Sequence, residues 1–431
     1  MENTVQKGSN KVALTFSISL CMIFVLSMYS QAQIVEGIDY SSRSDVYRTF
    51  DMAGQDIFGQ RFASEHYSFK DPVTDVDIIA LTTSRHSNSK IYQDHPQWTS
   101  DGRYLVFRSS RANGQYYAMS MSTFEIVQIT TGTNNQLVHL GWNNNLAYQL
   151  RERELVELNL PKLLEDSENG TVTKSSDYER IIATLPPGVR ETSGVALDAN
   201  EQRLFFINRL EKQYSAIYSI EFESGNVQKL YEVPFWANHL QANRWVPGEV
   251  MYSWETGGDS PQRIWSMAID ENGNVVNRPL YEESDEEWVT HEVFMNADHI
   301  VFNVMGHIDR LNKNPNGIFI LNIRTNELIR LDQAGKGGYW HAYGTEDMKW
   351  VVGDTFDGNL YRIHVETSEV RLLTTGHRPN GPSPFTREAH SHHSISPDGK
   401  WVLFNSSLLT SSDIMLVPLH PKDISLPSAD W

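Results

Sequence analysis

Cysteine is almost absent from the 431-residue chain: Cys21 stands alone, which excludes a disulfide framework and a cysteine-built zinc site. Basic residues are also short, 36 Lys and Arg against 54 Asp and Glu, for a formal net charge of −18. Phosphate binding needs clustered cations, so nucleic acid is excluded as a partner. No glycine-rich phosphate loop and no G-x-S-x-G nucleophile elbow is present. The long apolar run, Val12 to Met28, follows Lys7 and Lys11 and ends in Ser30-Gln31-Ala32. A charged start, an apolar middle and small residues before the cut predict a secretory signal over residues 1–32, with an uncleaved anchor as the alternative. The rest, residues 33–431, is then a cysteine-free periplasmic or secreted protein with no membrane contact beyond the signal. At 40% hydrophobic and 11% aromatic residues it can bury a core, which excludes global disorder.

What is present is a repeat. Asp101-Gly102 lies between Gln97-Trp98-Thr99 and Tyr104-Leu105-Val106-Phe107, and Asp398-Gly399 between Ser394-Ile395-Ser396 and Trp401-Val402-Leu403-Phe404. Each reads as a short strand, a tight turn and an apolar strand. Weaker copies turn at Asn144-Asn145, Asn200-Glu201, Pro247-Gly248, Ala297-Asp298 and Glu346-Asp347, successive turns lying roughly 43 to 56 residues apart. Apolar strands follow at Leu146–Leu150, Leu204–Ile207, Val250–Trp254, Ile300–Val304 and Trp350–Val352. Third and fourth strands such as Gly317–Ile323 and Glu327–Leu331 complete the unit. Seven units of four antiparallel strands, with little helical periodicity, predict an all-β fold: one seven-bladed β-propeller domain. A strand near Val76–Leu81 precedes the first unit and is expected to pair with the last blade and close the ring.

Histidine makes up 15 of 431 residues and falls just before or within the first strand of six units: His95, His139, His239, His291, His341 and the trio His390, His392, His393. First strands ring a propeller's channel, where sites are built, so these residues converge although they span three hundred positions. His307, His364 and His377 read as structural. In His390-Ser391-His392, alternate residues of an extended chain point the same way and can face one ion. With His291 from another blade, three nitrogen ligands suit Mn²⁺ or Zn²⁺ used as a Lewis acid. Trp98, Trp236, Tyr339 and Trp340 lie near the same strand starts and can stack on sugar faces or pack the core.

The C-terminal segment Ala389-His390-Ser391-His392-His393-Ser394-Ile395-Ser396-Pro397-Asp398-Gly399-Lys400, with Val402-Leu403-Phe404-Asn405-Ser406 after it, resembles the closing motif of oligogalacturonate lyases. Thr290-His291-Glu292-Val293-Phe294 is similar to that family's T-H-E-x-W segment. His341 with Met348–Asp354, and Asn238-His239 with Arg263-Ile264-Trp265, are similar as well. The opening blade, Tyr92–Arg111, also resembles the family's, so the likeness runs over about 95–419. It implies a seven-bladed propeller that cleaves uronate-containing oligosaccharides by β-elimination. An acidic oligosaccharide is then the partner, His239 the base, and Arg263 an arginine close to the substrate. It also implies a divalent metal, manganese before zinc or calcium, held by His291, His390 and His392. The family's fourth ligand, a glutamine three residues before the H-x-H, falls on Arg387, which cannot ligate a cation; His393 or water is left to complete the shell. Further substrate contacts are expected from His86, His95, His341 and Arg387. The known family is largely cytoplasmic, so an exported relative implies a longer or differently linked uronate polymer, such as ulvan.

The chemistry agrees with these residues. The proton at C5 of a uronate becomes acidic once the neighbouring carboxylate is neutralised, by a metal or an arginine, and a neutral histidine is a suitable base near pH 7. Two other readings of the fold stand beside it. One is a TolB-like binding propeller, which has no need of six histidines around its channel. The other is a glycoside hydrolase, which needs two facing carboxylates, with Glu292 and Asp354 as the candidates.

Overall fold

Thr99 Oγ1 donates to Asp101 Oδ1 at 2.7 Å, Thr345 Oγ1 to Asp347 Oδ1 at 2.7 Å and Ser396 Oγ to Asp398 Oδ1 at 2.6 Å. The same side-chain bond thus closes the first hairpin of three different units. Gly102 and Gly399 follow at φ of +71° and +72°, a left-handed conformation that glycine enters without steric cost. These turns belong to a computed structural model that describes residues 34–35, 38–39, 57–84, 86–111, 114–132, 137–211, 213–331, 338–378, 389–410 and 412–421. The N-terminal apolar run and Arg387 lie outside the described residues. No helix among those described is long and apolar enough to cross a membrane.

The architecture is a seven-bladed β-propeller. Innermost strands are Asn88–Lys90, Val138–Leu140, Val195–Leu197, Ala237–Ala242, Val289–Phe294, Ala342–Gly344 and Ser394–Ile395 for blades 1 to 7, each followed outward by antiparallel strands in chain order. Predicted second strands match closely; Trp350–Val352 is observed as Trp350–Asp354 and Ile300–Val304 as His299–Val304. Ring closure also follows expectation. Strand Asp77–Ala80 is the fourth of blade 7, with Ala80 opposite Met415 and Ile79 opposite Leu416. Two blades have five strands where four were expected, because Arg61–Phe62 adds to blade 1 and Tyr67–Lys70 to blade 7.

Blade 2 carries an unexpected helix, Leu160–Asn169, between its third and fourth strands. Asn159 caps it by accepting from the Lys162 amide, Pro161 sits in the first turn, and Gly170 ends it at φ +68°. Leu160, Leu163 and Leu164 seat it in the core between blades 1 and 2.

The core lies between blades rather than at the centre. Seven buried clusters fill the seven interfaces. Alternation along each strand supplies both neighbours: Val402 and Phe404 pack toward blade 6, Trp401 and Leu403 toward blade 1. Strands buried on both faces read as unbroken apolar runs, which is why Trp401–Phe404 is legible.

His377 shows how such a core treats a histidine. It is buried, with Ser406 Oγ 2.8 Å from Nδ1 and Thr374 Oγ1 2.7 Å from Nε2. Burial holds its pKa down to about 3 against a weaker upward pull from Asp71. The unfolded chain protonates this ring near pH 6.5 while the native one does not, so its contribution to stability is complete above that pH and is lost as pH falls toward 3. At pH 5 the loss from this residue is about 2 kcal/mol. Urea unfolding at pH 7 and pH 5 is expected to show it, and His377→Gln to remove about one proton from the uptake on unfolding at pH 5.

Candidate functional site

Starts of the innermost strands ring one mouth of the channel, and there the histidines of blades 4 to 7 meet. The His341 ring lies 4.1 Å from His291, 4.7 Å from His392 and 6.1 Å from His390, and His390 and His392 are 5.5 Å apart, centroid to centroid. One ring nitrogen from each of His341, His390 and His392 falls within 4.8 Å of the others. His390–His393 is not a strand, yet its side chains still divide. His390 and His392 face the cluster, Ser391 donates to Asp354 Oδ2, and His393 Nε2 sits 2.8 Å from the Val352 carbonyl.

Backbone irregularities aim these rings. In blades 4 and 5 the pairing of the innermost strand slips at the same place, between Asn238 and Gln241 and between Thr290 and Val293. Such bulges re-aim a side chain. His239, His291 and His392 lie at φ of +49°, +57° and +39°. For a non-glycine residue that conformation costs of order 1 kcal/mol or more and persists where surrounding structure enforces it, as at functional sites.

Beside the cluster lies a charged group in blades 4 and 5. Arg263, 4% exposed at its side chain, donates from Nε to Glu292 Oε2 at 2.8 Å and holds Nη1 3.6 Å from Glu255 Oε2. His239 Nε2 is 3.5 Å from that same Glu255 oxygen. Burial pushes the Glu255 carboxyl up, but the bond from His239, the Arg263 charge and the Gly257 amide outweigh it and hold the pKa to about 2. Arg263 is therefore already paired with two carboxylates, and Arg263, Glu255 and Glu292 together carry a net charge of −1 with both acids ionised. The arginine expected as a carboxylate clamp brings no excess positive charge to the site.

Blade 1 has the predicted hairpin at Asp101-Gly102 and an unpredicted strand before it. Its innermost strand is Asn88–Lys90, and Trp98 rejoins the sheet by a single bridge to Leu105. Residues 92–96 are extruded into the channel, because Ile91 packs in the core between blades 1 and 2, the Gln97 carbonyl accepts from the Val106 amide, and the residues on either side pair with the one strand Tyr104–Ser109. This excursion reaches five other blades, 3 to 7. Tyr92 Oη lies 3.1 Å from His291 Nδ1, and its ring sits 5.1 Å from His239 and 4.7 Å from His392. His95 Nε2 lies 2.7 Å from the Val195 carbonyl, and Gln93 Nε2 reaches toward that of Ala342. Lys90, buried at the strand end, donates to the carbonyls of Ile91 and His392, and burial pushes its pKa well down.

Electrostatics keep the cluster neutral. Burial first, then the other cations and imidazoles nearby, push His291, His341 and His392 well below the ordinary histidine range. A neutral ring is what a metal ligand has to be. Asp354 holds His341 from behind, both carboxylate oxygens lying 3.0 Å from Nδ1.

Other expected residues go elsewhere. His95 packs on His139 at 5.1 Å and lines a cavity of about 160 Å³ at the opposite mouth with Trp98, Trp142 and Trp245. His86 is buried before blade 1, its carbonyl accepting from Asn88. Tyr339 and Trp98 are core residues, while Trp340 backs His390 at 4.2 Å and Trp236 is 40% exposed. Glu255, Tyr92, Lys90 and Arg378, whose guanidinium lies 4.6 Å over Trp340, are site residues that the sequence reading passed over. Only the place of Tyr92, shortly before the first predicted strand of its unit, offered a signal for any of them.

No protein-family model matches this chain, and no curated protein matches it by sequence at a significant level. Solved structures do. An oligogalacturonate lyase from Vibrio parahaemolyticus superposes with a TM-score of 0.69 at 18% identity, covering 84% of this chain and 98% of that one. An oligogalacturonate lyase in complex with manganese gives 0.70 at 18% identity, with the same coverage. The chain has the propeller fold of oligogalacturonate lyases. A set of WD40 repeats, at 9% identity and a TM-score of 0.52 over 82% of this chain, shows how widely propellers share the general shape.

Proposed function

We propose that the protein is an exported polysaccharide lyase that opens uronate-containing oligosaccharides by β-elimination, assisted by a divalent metal. One observation carries the reading: on a propeller with the fold of oligogalacturonate lyases, the Tyr92 ring packs at once on His239, a base candidate beside a carboxylate, and on His392 of the group His341, His390 and His392. Base and cation site thus flank a single residue, within reach of one sugar ring.

The cluster fits a metal. The His341 Nε2 atom is buried without a hydrogen-bond partner, a costly state for a lone acceptor, and three imidazoles supply suitable donors. Their 4.8 Å spread has to tighten slightly, because bonds near 2.1 Å place ligand atoms at most about 4.2 Å apart. A bound divalent ion supplies the positive charge that lowers the acidity barrier at C5 of a uronate. Arg263 cannot supply it, since Glu255 and Glu292 already neutralise it. Manganese is the first ion to try, given the manganese complex of a similar structure.

His239 Nε2 faces Glu255 at 3.5 Å, which points the proton-bearing nitrogen at the carboxylate and assigns Nδ1 the role of base. In the reaction the C5–H bond breaks toward His239, its electron pair forms the C4=C5 double bond, and the C4–O4 bond breaks. The proton on His239 then passes to the departing oxygen or to water. Export, to the periplasm or beyond, rests on the N-terminal run Val12–Met28 and its Ser-Gln-Ala ending.

The test is to incubate the purified chain with oligogalacturonate, glucuronan, alginate and ulvan oligosaccharides, with and without chelator. Unsaturated 4,5-uronate, read by ultraviolet absorbance and mass, is expected from one of them and is expected to fall with chelator. The purified protein is expected to hold about one equivalent of divalent metal. Folded, metal-loaded protein that yields no unsaturated product from any of the four would overturn the lyase reading.

A further inference from the structure

We infer that His341, held by Asp354, is the third protein ligand of the metal centre, and that His291 stands beside the metal with Tyr92 rather than on it. The inference deepens the reading of this mouth as a metal centre and rests on it. The family resemblance places His291, His390 and His392 on the ion, with a glutamine as fourth ligand; here that position is Arg387. Loss of an uncharged donor from the sequence position leaves the shell short, and the structure shows a different uncharged donor beside His390 and His392.

His341 has the form of a ligand already oriented. It is fully buried, and its Nδ1 is 3.0 Å from both Asp354 oxygens while its own backbone amide donates to Oδ1 at 2.7 Å. A carboxylate can only accept, so Nδ1 carries the hydrogen and Nε2 the lone pair. Ser391 Oγ donates to the same carboxylate, which fixes Asp354 in turn from within the His390–His392 segment. Metal-bound histidines characteristically give their other N–H to a carboxylate, which sets the tautomer and raises ligand basicity. Nε2 is meanwhile a buried acceptor with no hydrogen-bond partner. Among the described residues, the group of three or more candidate ligand atoms within 4.8 Å of one another is His341, His390 and His392.

His291 has a different setting. Its ring packs 4.1 Å from His341, its Nδ1 faces the Tyr92 hydroxyl at 3.1 Å, and among the described residues no carboxylate orients it. The exchange keeps three imidazole nitrogens and drops the amide oxygen, so the protein shell is all borderline nitrogen and suits Zn²⁺ or Co²⁺ as well as it suits Mn²⁺.

The experiment uses the whole chain, stripped with chelator and titrated with Co²⁺. Calorimetry gives affinity and stoichiometry, and the visible cobalt bands report the ligand field without any turnover. Wild type is expected to take up one equivalent. His341→Ala is expected to weaken binding by 100-fold or more, and Asp354→Asn by about 10–100-fold, the usual effect of removing a ligand's carboxylate partner. His291→Ala is expected to bind within about threefold of wild type. His341→Gln, which returns an amide donor, is expected to recover part of the affinity lost in His341→Ala, with shifted cobalt bands. A crystal of the wild type with Co²⁺, read by anomalous scattering, identifies the ligands without any variant and covers the case in which His341→Ala does not fold. An ion on His291, His390 and His392 with His341 beyond bonding distance would overturn the inference. So would His341→Ala binding like wild type. A wild-type chain that binds no Co²⁺, Mn²⁺ or Zn²⁺ instead overturns the metal-centre reading on which the inference stands.

Discussion

Replacing His239 is expected to lower kcat for elimination by about 10²–10⁴-fold, the usual contribution of a positioned general base, with the fold intact. Two variants separate chemistry from structure. His239 lies at φ +49° in a bulge, a conformation that asparagine tolerates better than alanine. His239→Asn is therefore the cleaner test, and His239→Ala the fuller deletion. Both leave Glu255 without its histidine partner, but the Arg263 guanidinium still faces it at 3.6 Å, so no buried charge is abandoned. Metal content is expected to stay at the wild-type value, because His239 is outside the group His341, His390 and His392. Loss of turnover with metal retained and an unchanged urea midpoint assigns the base to His239. Retained turnover moves the base to Tyr92, whose hydroxyl is in the same mouth. Burial pushes that hydroxyl's pKa well up, so a tyrosine base needs high pH, and the rate would then climb with pH well beyond the histidine range.

What the sequence made legible was whatever repeats locally. Asp101-Gly102 and Asp398-Gly399 announce hairpins because the turn chemistry is contained in four or five residues, and strands such as Trp401–Ser406 announce themselves because both faces are buried. The site's location was legible through the same period, since a histidine recurring at strand starts must reach the channel. The contacts within the site were not legible. Tyr92 meets His291 from 199 positions away, through an excursion that nothing in residues 92–96 marks as extruded. The left-handed φ of His239 and His291 follows from bulges set by strand pairing, not by neighbours in the chain. The link between His341 and Asp354 crosses a hairpin, so a spacing of 13 residues carries meaning only once the register is known. The pairing of Arg263 is not legible because its two carboxylate partners lie 8 and 29 positions away; Glu255 carries no signal of its own, and Glu292 stands out in the sequence only within the T-H-E segment and as a candidate carboxylate, not as a partner of Arg263.

That pairing sets the second large effect. Arg263→Met is expected to destabilise the protein by about 3–5 kcal/mol, because it strips the partner from a buried ion. Glu292 has no exposed side-chain surface, its Oε2 takes the Arg263 Nε bond, and its Oε1 has no partner. Removing the guanidinium leaves that carboxylate ionised in an apolar wall behind Thr290-His291-Glu292, or forces it to take up a proton. Glu292→Gln alone is expected to cost less, because Arg263 keeps Glu255 and its Nη1 reaches toward it. The double variant Arg263→Met, Glu292→Gln is expected to recover a large part of the loss, giving a coupling of about 1–3 kcal/mol in a double-mutant cycle by urea unfolding. A different outcome distinguishes the role given to Arg263 by resemblance. If Arg263→Met leaves the urea midpoint in place and raises KM for the uronate substrate with kcat little changed, Arg263 acts as a substrate clamp and its bond to Glu292 is incidental. The burial of both partners argues the other way: the arginine spends its charge on Glu292 and Glu255, and the work of meeting the substrate's carboxylate passes to the cation among the histidines.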